Sequence, residues 1–234
     1  MQAGDRDKLI VALDVPSYDA ARQLVDDLGH TVSFYKIGLE LLFTDGLALA
    51  SELKNEGKRV FLDMKFLDIG NTVERAVANV AGLGFDFLTI HGHDTKTIKA
   101  ALKGRGSAPL KLLGVTVLTS LDQADLAEQG IILTPHELVL KRAALARDAG
   151  LDGVIASGQE AASVRAATSP QFLIVTPGIR LAGGDGGDQS RITTPGDAIR
   201  AGANHLVVGR PITAAADPRR AAETVLEHIA RAAS

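Results

Sequence analysis

The chain contains no cysteine. Disulfides, thiolate metal sites and a cysteine nucleophile are therefore excluded. It also lacks long apolar runs; the longest are strand-length, far short of the roughly 20 residues of a membrane-spanning helix. The opening stretch, Met1 to Lys8, is polar and charged and has no signal-peptide core. Charge of one sign is not in excess either: 25 Lys and Arg against 28 Asp and Glu leave a net charge of −3. No global field draws the chain to nucleic acid or to an anionic membrane surface, so any anion must be held by a local site. A cytoplasmic location is the expectation.

What is present is a regular alternation over 234 residues, with 46% hydrophobic and 23% charged residues, which suits one large domain spanning 1–234. Eight apolar runs read as strands: Leu9–Leu13, Val32–Ile37, Arg59–Asp63, Phe85–Ile90, Leu110–Leu118, Gly153–Ala156, Phe172–Val175 and His205–Val208. They are near-continuous rather than alternating, as parallel strands covered on both faces require. Between them lie amphipathic or alanine-rich stretches that predict helices: Tyr18–Leu28, Leu39–Glu56, Thr72–Leu83, Thr95–Lys103, His136–Ala149, Glu160–Thr168, Pro195–Ala201 and Pro218–Ala232. Gly29, Gly57, Gly84, Gly104, Gly150 and Gly202 stand where helices should stop.

Eight such units close into a barrel or open into a doubly wound sheet. Polar residues follow nearly every strand: Asp14, Lys36, Asp63 and Lys65, His91, Thr119, Ser157, Pro177 and Gly178, Gly209 and Arg210. An open sheet concentrates its site at one switch point, whereas a barrel gathers it from all the βα junctions. No Gly-x-Gly-x-x-Gly follows the first strand. The expectation is an α/β fold, a (β/α)8 TIM barrel with its site at the C-terminal ends of the strands.

The third strand runs into "FLDMKFLDIGNTV". Asp63 and Lys65 are two apart, so on extended backbone their side chains point the same way. A structural ion pair would explain them equally well on spacing alone, because charges at the end of an apolar strand need partners. Lys36 ends the second strand and Asp14 the first. In a barrel those three strands are neighbours, so two lysines and two or three carboxylates converge. Such an array holds each charge through its opposites and can present repulsion and a proton donor to a bound acid. At the far end, "VTPGIR" closes strand seven and "VVGRPI" strand eight. Backbone N–H groups at Gly209 and Arg210, ahead of a Pro-started short helix, suit a phosphate, although Arg210 could instead merely cap the rim.

"DMKFLDIGNTV" resembles the Asp-x-Lys-x-x-Asp-Ile-x-Asn-Thr signature of the orotidine 5'-phosphate decarboxylase family. "VALD", "YKIG", "VTVLTS", "TPGIR", "DQSR" and "VVGRPIT" match that family in order and spacing along the whole chain. The resemblance implies decarboxylation of orotidine 5'-phosphate to UMP without a cofactor or metal. It implies that Lys65 protonates C6, that Asp63 lies beside the substrate carboxylate, and that Lys36 contacts Asp63 and the ribose. Asp14 would hold ribose hydroxyls. Asp68 and Thr72 would act across a homodimer with shared sites. Thr119 or its neighbour Ser120 would bind the pyrimidine edge. Gln189, Arg210 and the Gly209 N–H would grip the phosphate, with Arg180 and Pro177 nearby, and the Leu181–Gln189 loop would close over it. The family more often carries His and Pro where this chain has Leu67 and Gly70; neither position bears the charge.

Two rivals remain at this level. Mg2+-dependent sugar-phosphate decarboxylases and aldolases of the same barrel superfamily are similar around Asp-x-Lys-x-x-Asp, but carry an acidic residue where this chain has Lys36. A non-catalytic nucleotide-phosphate binder would have little reason to keep Lys36, Asp63, Lys65 and Asp68 together. His91 and His93 could in principle bind a metal; the simpler expectation is a rim hydrogen bond for His91 and solvent for His93.

Overall fold

The computed structural model describes residues 3–181 and 191–233. Among them, eight strands form a closed parallel barrel in sequence order. They are β1 (Leu9–Ala12), β2 (Phe34–Gly38), β3 (Arg59–Phe66), β4 (Phe87–His91), β5 (Lys111–Val115), β6 (Gly153–Ile155), β7 (Leu173–Thr176) and β8 (His205–Val208). The ring closes where Leu9, Ile10 and Val11 of β1 pair with Leu206, Val207 and Val208 of β8. A short helix α1 (Ala3–Arg6) precedes the barrel. The helices outside it are α2 (Tyr18–Leu28), α3 (Leu39–Leu41), α4 (Leu47–Asn55), α5 (Gly70–Gly82), α6 (Thr95–Arg105), α7 (Gln123–Glu128), α8 (Pro135–Ala149), α9 (Ala161–Ala166), α10 (Pro195–Arg200), α11 (Arg210–Thr213) and α12 (Pro218–Ala233).

The period of two along each strand divides the core into two layers. Leu9, Val11 and Leu13 pack outward with helix residues such as Leu24, Val25 and Leu226. Ile10 and Ala12 turn inward and meet Phe34, Phe61, Phe87, Leu113, Val175 and Val207 from the other strands. The barrel is thus filled, not hollow. At its N-terminal end the Arg59 guanidinium lies 4.2 Å from the centre of the Phe34 ring. The His205 ring stands edge-on to Phe34 and Phe87. Burial pushes the His205 imidazole down to about 4, so near neutral pH it is uncharged. Its Nδ1–H donates to the Asp7 carbonyl at 2.7 Å, since a carbonyl can only accept. This plug leaves the C-terminal end as the open one.

Three expectations are corrected. The helix predicted over Leu39–Glu56 is broken by a wide turn at Leu42–Gly46, in which Asp45 has φ 64°. A Cβ on Gly46 would lie 2.6 Å from the Leu41 carbonyl oxygen, so the turn requires a glycine there. Gly104 is not a helix stop; it lies inside α6, which ends at Gly106 with φ 55°. A Cβ at Gly104 would sit 2.2 Å from the Glu74 carbonyl oxygen, so this glycine lets α5 and α6 pack backbone to backbone. The third correction concerns β3, which runs past Asp63 to Phe66 and shifts register against β4 between Leu62 and Phe66. Helix α7 was not expected at all. Only Leu126 of it is buried, and its sequence signal is the reciprocal cap between Asp122 and Asp125.

Candidate active site

Strands β1, β2 and β3 carry the charges to the open end. Tyr35 of β2 lies opposite Val11 of β1, and Lys36 opposite Ala12. This register sets Lys36 below the β1 terminus, where Lys36 Nζ meets Asp14 Oδ1 at 2.9 Å. The same amine lies 3.4 Å from Asp63 Oδ2. Lys65 Nζ approaches Asp63 Oδ2 from the other side at 2.9 Å. The result is an unbroken alternation, Asp14–Lys36–Asp63–Lys65. Lys36 is only 7% exposed and Asp63 9%, so neither charge would be tolerated without the other. Gly38 makes room for it: a Cβ there would come within 3.0 Å of Lys36 Nζ and 3.1 Å of Asp14 Oδ1.

The electrostatics follow from this geometry. Burial opposes ionisation of Asp63, but Lys36 and Lys65, helped by hydrogen bonds from Lys65 and Thr89, outweigh it and hold the carboxyl below its ordinary range. Burial likewise opposes charge on Lys36, and Asp63 and Asp14 overcome it and raise its pKa above the usual lysine value. Both groups therefore stay charged near neutral pH.

A cavity of about 550 Å³ opens above the array. Ala12, Phe61, Val115, Ile155 and Val207 form its apolar floor. Its walls carry Asp14 from beyond β1, Lys36 from β2, Asp63 and Lys65 from β3, Thr119 and Ser120 from beyond β5, and Pro177, Gly178, Arg180, Gly209 and Arg210 from beyond β7 and β8. Such a volume suits a ligand of nucleotide size, and the division into an apolar base and convergent polar groups is typical of small-molecule sites. Gly209 precedes α11, and Pro211 occupies its first turn.

Not every expected site residue lies in the cavity. Asp68 and Thr72 are exposed on the segment after β3 and the start of α5 and do not line it. Asp68 Oδ1 accepts from the Ile69 N–H at 2.6 Å. Gln189, and the loop to which it belongs beyond Leu181, lie outside the described residues. His91 Nδ1 and His93 Nε2 are 3.1 Å apart, one donating to the other. Among the described residues no cluster of three or more His, Cys, Asp or Glu could hold a metal.

Two features were missed from the sequence. Thr89, in the middle of β4, is fully buried and touches the array. Glu160 and Arg191 form a buried pair at 2.9 Å. Arg191 also donates to the carbonyls of Val117 and Leu118, directly before Thr119. The signal for the pair was slight, because the two residues are 31 apart in sequence and neither belongs to a strand.

Fold and site together define a (β/α)8 barrel whose C-terminal mouth carries a lysine–aspartate array in a cavity that Gly178, Arg180, Gly209 and Arg210 also line. The sequence model of the orotidine 5'-phosphate decarboxylase / HUMPS family matches residues 7–225, and the chain belongs to that family. A protein of Methylobacterium radiotolerans named orotidine 5'-phosphate decarboxylase is 55% identical over 228 residues, covering 97% of this chain and 98% of its own. One of the same name from Rhodopseudomonas palustris strain HaA2 is 53% identical over 228 residues, covering 97% of each. The crystal structure of orotidine 5'-phosphate decarboxylase from Lactobacillus acidophilus superposes with a TM-score of 0.83 at 38% identity, over 94% of this chain and 98% of that one. No helix among the described residues is long and apolar enough to cross a membrane.

Proposed function

We propose that this chain, as one barrel domain over residues 1–234, decarboxylates orotidine 5'-phosphate to UMP and CO2, the last step of de novo pyrimidine nucleotide synthesis. Family membership and the named relatives support the reaction. The observation that carries the chemistry is the buried Asp63 carboxylate held between two ammonium groups at the cavity wall.

Breaking the bond from C6 to the carboxylate leaves an electron pair in the plane of the pyrimidine ring, where the ring's π system cannot accept it. Stabilisation must then be electrostatic, and Lys65 is the cation in place to supply it. Its ammonium faces the developing carbanion, gives C6 a proton, becomes a neutral amine and regains a proton from solvent. Asp63 stays ionised and stands against the departing carboxylate; that repulsion vanishes as neutral CO2 leaves. Preorganised charge supplies the stabilisation, with the ground-state repulsion as an additional contribution. Lys36 keeps Asp63 ionised and, with Asp14, receives the ribose hydroxyls. Thr119 or Ser120 meets the pyrimidine edge. The Gly209 N–H and Arg210 take the phosphate beside Pro177 and Arg180, and Gln189 completes the grip. No cofactor enters this scheme.

The Mg2+-dependent sugar-phosphate reaction fits less well, because an ammonium group, Lys36, already lies between the two carboxylates where a cation would go. The exposed positions of Asp68 and Thr72 are in keeping with a homodimer in which each chain completes its partner's site. Water-soluble nucleotide intermediates suit a cytoplasmic enzyme, which cell fractionation would check.

The test is the fall in ultraviolet absorbance of orotidine 5'-phosphate on adding the purified chain with EDTA present. Wild type should consume substrate, and Lys65→Ala should be slower by about 100- to 1,000-fold or more, the scale of losing a preorganised stabilising group at the reacting atom. An inactive wild type that acts on a sugar phosphate once Mg2+ is restored would replace this reading with the rival.

A further inference from the structure

The alternation rule of a strand does not explain how Lys65 reaches Asp63. Lys65 has φ 51°, in the left-handed region, which a side-chain-bearing residue adopts only when its surroundings hold it there. On the β4 side, Leu88 and Ile90 pair with Leu62 and Phe66 of β3. Asp63, Met64 and Lys65 therefore stand opposite the single residue Thr89. The extra backbone of such a bulge loses its ladder partners and must find others.

Thr89 supplies them. Its Oγ1 accepts from the Lys65 backbone N–H at 3.0 Å. The same hydroxyl lies 2.8 Å from Asp63 Oδ1. With the oxygen already accepting, the hydroxyl proton goes to the carboxylate, which can only accept. Thr89 is 0% exposed, so no solvent competes for either bond. Asp63 Oδ1 is thereby fixed, and Oδ2 is turned to the two amines, Lys65 at 2.9 Å and Lys36 at 3.4 Å.

We propose that Thr89 is a positioning residue for decarboxylation: one buried hydroxyl sets both the plane of the Asp63 carboxylate and the left-handed backbone from which Lys65 reaches C6. It touches neither substrate nor the reacting atoms. The inference rests on the reaction proposed above, but its geometric half does not. An inward-facing apolar residue, as at Phe87 on the same strand, would fill the layer and leave Asp63 Oδ1 and the Lys65 N–H both without a partner.

The test compares Thr89→Val, which keeps the shape and loses the hydroxyl, with Thr89→Ser, which keeps the hydroxyl. For Thr89→Val, kcat should fall by about 30-fold or more while KM stays within about threefold, since phosphate and ribose contacts are untouched. Thr89→Ser should stay within about threefold of wild type in both constants. Equal losses in both variants, or an unimpaired Thr89→Val, would overturn the proposal and leave packing as the role of Thr89. Should Thr89→Val not fold, Thr89→Ala removes the same hydroxyl, and its kcat must still lie well below that of Thr89→Ser. A crystal structure of the hydroxyl-free variant gives an answer independent of activity. Lys65 should leave the left-handed region or its Nζ should part from Asp63; an unchanged Lys65–Asp63 geometry would refute the proposal even if the wild-type chain proved to catalyse another reaction.

Discussion

Each charge in the array is placed by another charge, and this shapes what single substitutions do. Removing one partner of a buried pair leaves an uncompensated ion, which costs more than the pair itself contributes. Lys36 and Asp63 are such a pair, so changes at either disturb stability and activity together. Arg210 is different: it is exposed and follows β8, whereas Lys65 belongs to β3, with β1 and β2 between them in the ring. A phosphate held there supplies binding energy remote from C6, and that energy can seat the orotate carboxylate against the like charge of Asp63. Arg210→Ala is therefore expected to lower kcat as well as raise KM, with kcat/KM down by about 100-fold or more, the worth of a charge-assisted contact of about 3 kcal/mol. Steady-state kinetics on both constants decides it. A change confined to KM would mean that phosphate binding does not drive the chemistry.

At the scale of elements, close approach matters as much as hydrophobic burial. Helices α5 and α6 touch through Gly104, with the Glu74 carbonyl where a side chain would begin. Gly104→Ala must push the two helices apart, at a cost of about 1–3 kcal/mol, against a gain of up to about 1 kcal/mol in helix propensity. Gly82, at the end of α5, has nothing within 4 Å of a would-be Cβ. Gly82→Ala should be neutral or mildly stabilising for the same propensity reason. Urea midpoints at unchanged slope give the comparison. If Gly104→Ala proves no less stable than Gly82→Ala, the backbone contact is not as drawn. The elements were legible to different degrees. Strands β1, β6 and β8 and helices α2, α8 and α12 could be read closely from apolar runs, caps and glycine stops. The break at Leu42–Gly46 could not, because its apolar spacing continues that of a helix while Asp45 alone turns left-handed. The stop of α6 was misplaced by two residues because two glycines compete there, and only packing against α5 distinguishes them.

For the whole molecule, the barrel leaves Leu39 and Phe43, which follow β2, and Leu67 and Ile69, which flank Asp68 after β3, exposed. Exposed apolar side chains at this end suit a second copy of the chain related by a two-fold axis, which under the proposed function would bring Asp68 and Thr72 to the partner's cavity. Mixing Lys65→Ala chains with Asp68→Ala chains tests this. With random reassortment of equal amounts, half the dimers are mixed and one of their two sites keeps both residues. Activity should return to about a quarter of wild type under two-fold symmetry. No recovery after demonstrated subunit exchange would show that each chain uses its own Asp68.

The residue order by itself determined the eight-fold alternation, the parallel barrel and most of the polar groups around its mouth. These depend on local periodicity and on the rule that strand ends gather at one face. Asp14, Lys36, Asp63, Lys65, Gly209 and Arg210 were all nameable because each is a polar or glycine residue at or past the midpoint of an apolar strand or just beyond it. Only the tertiary structure decided how they meet. The register shift in β3, the left-handed Lys65 and the Thr89 hydroxyl that holds both depend on which residue of β4 faces the bulge. The Glu160–Arg191 pair likewise joins segments that no periodicity connects. Pairing between strands and burial of distant side chains are set by closure of the whole barrel, and a one-dimensional pattern carries no record of that.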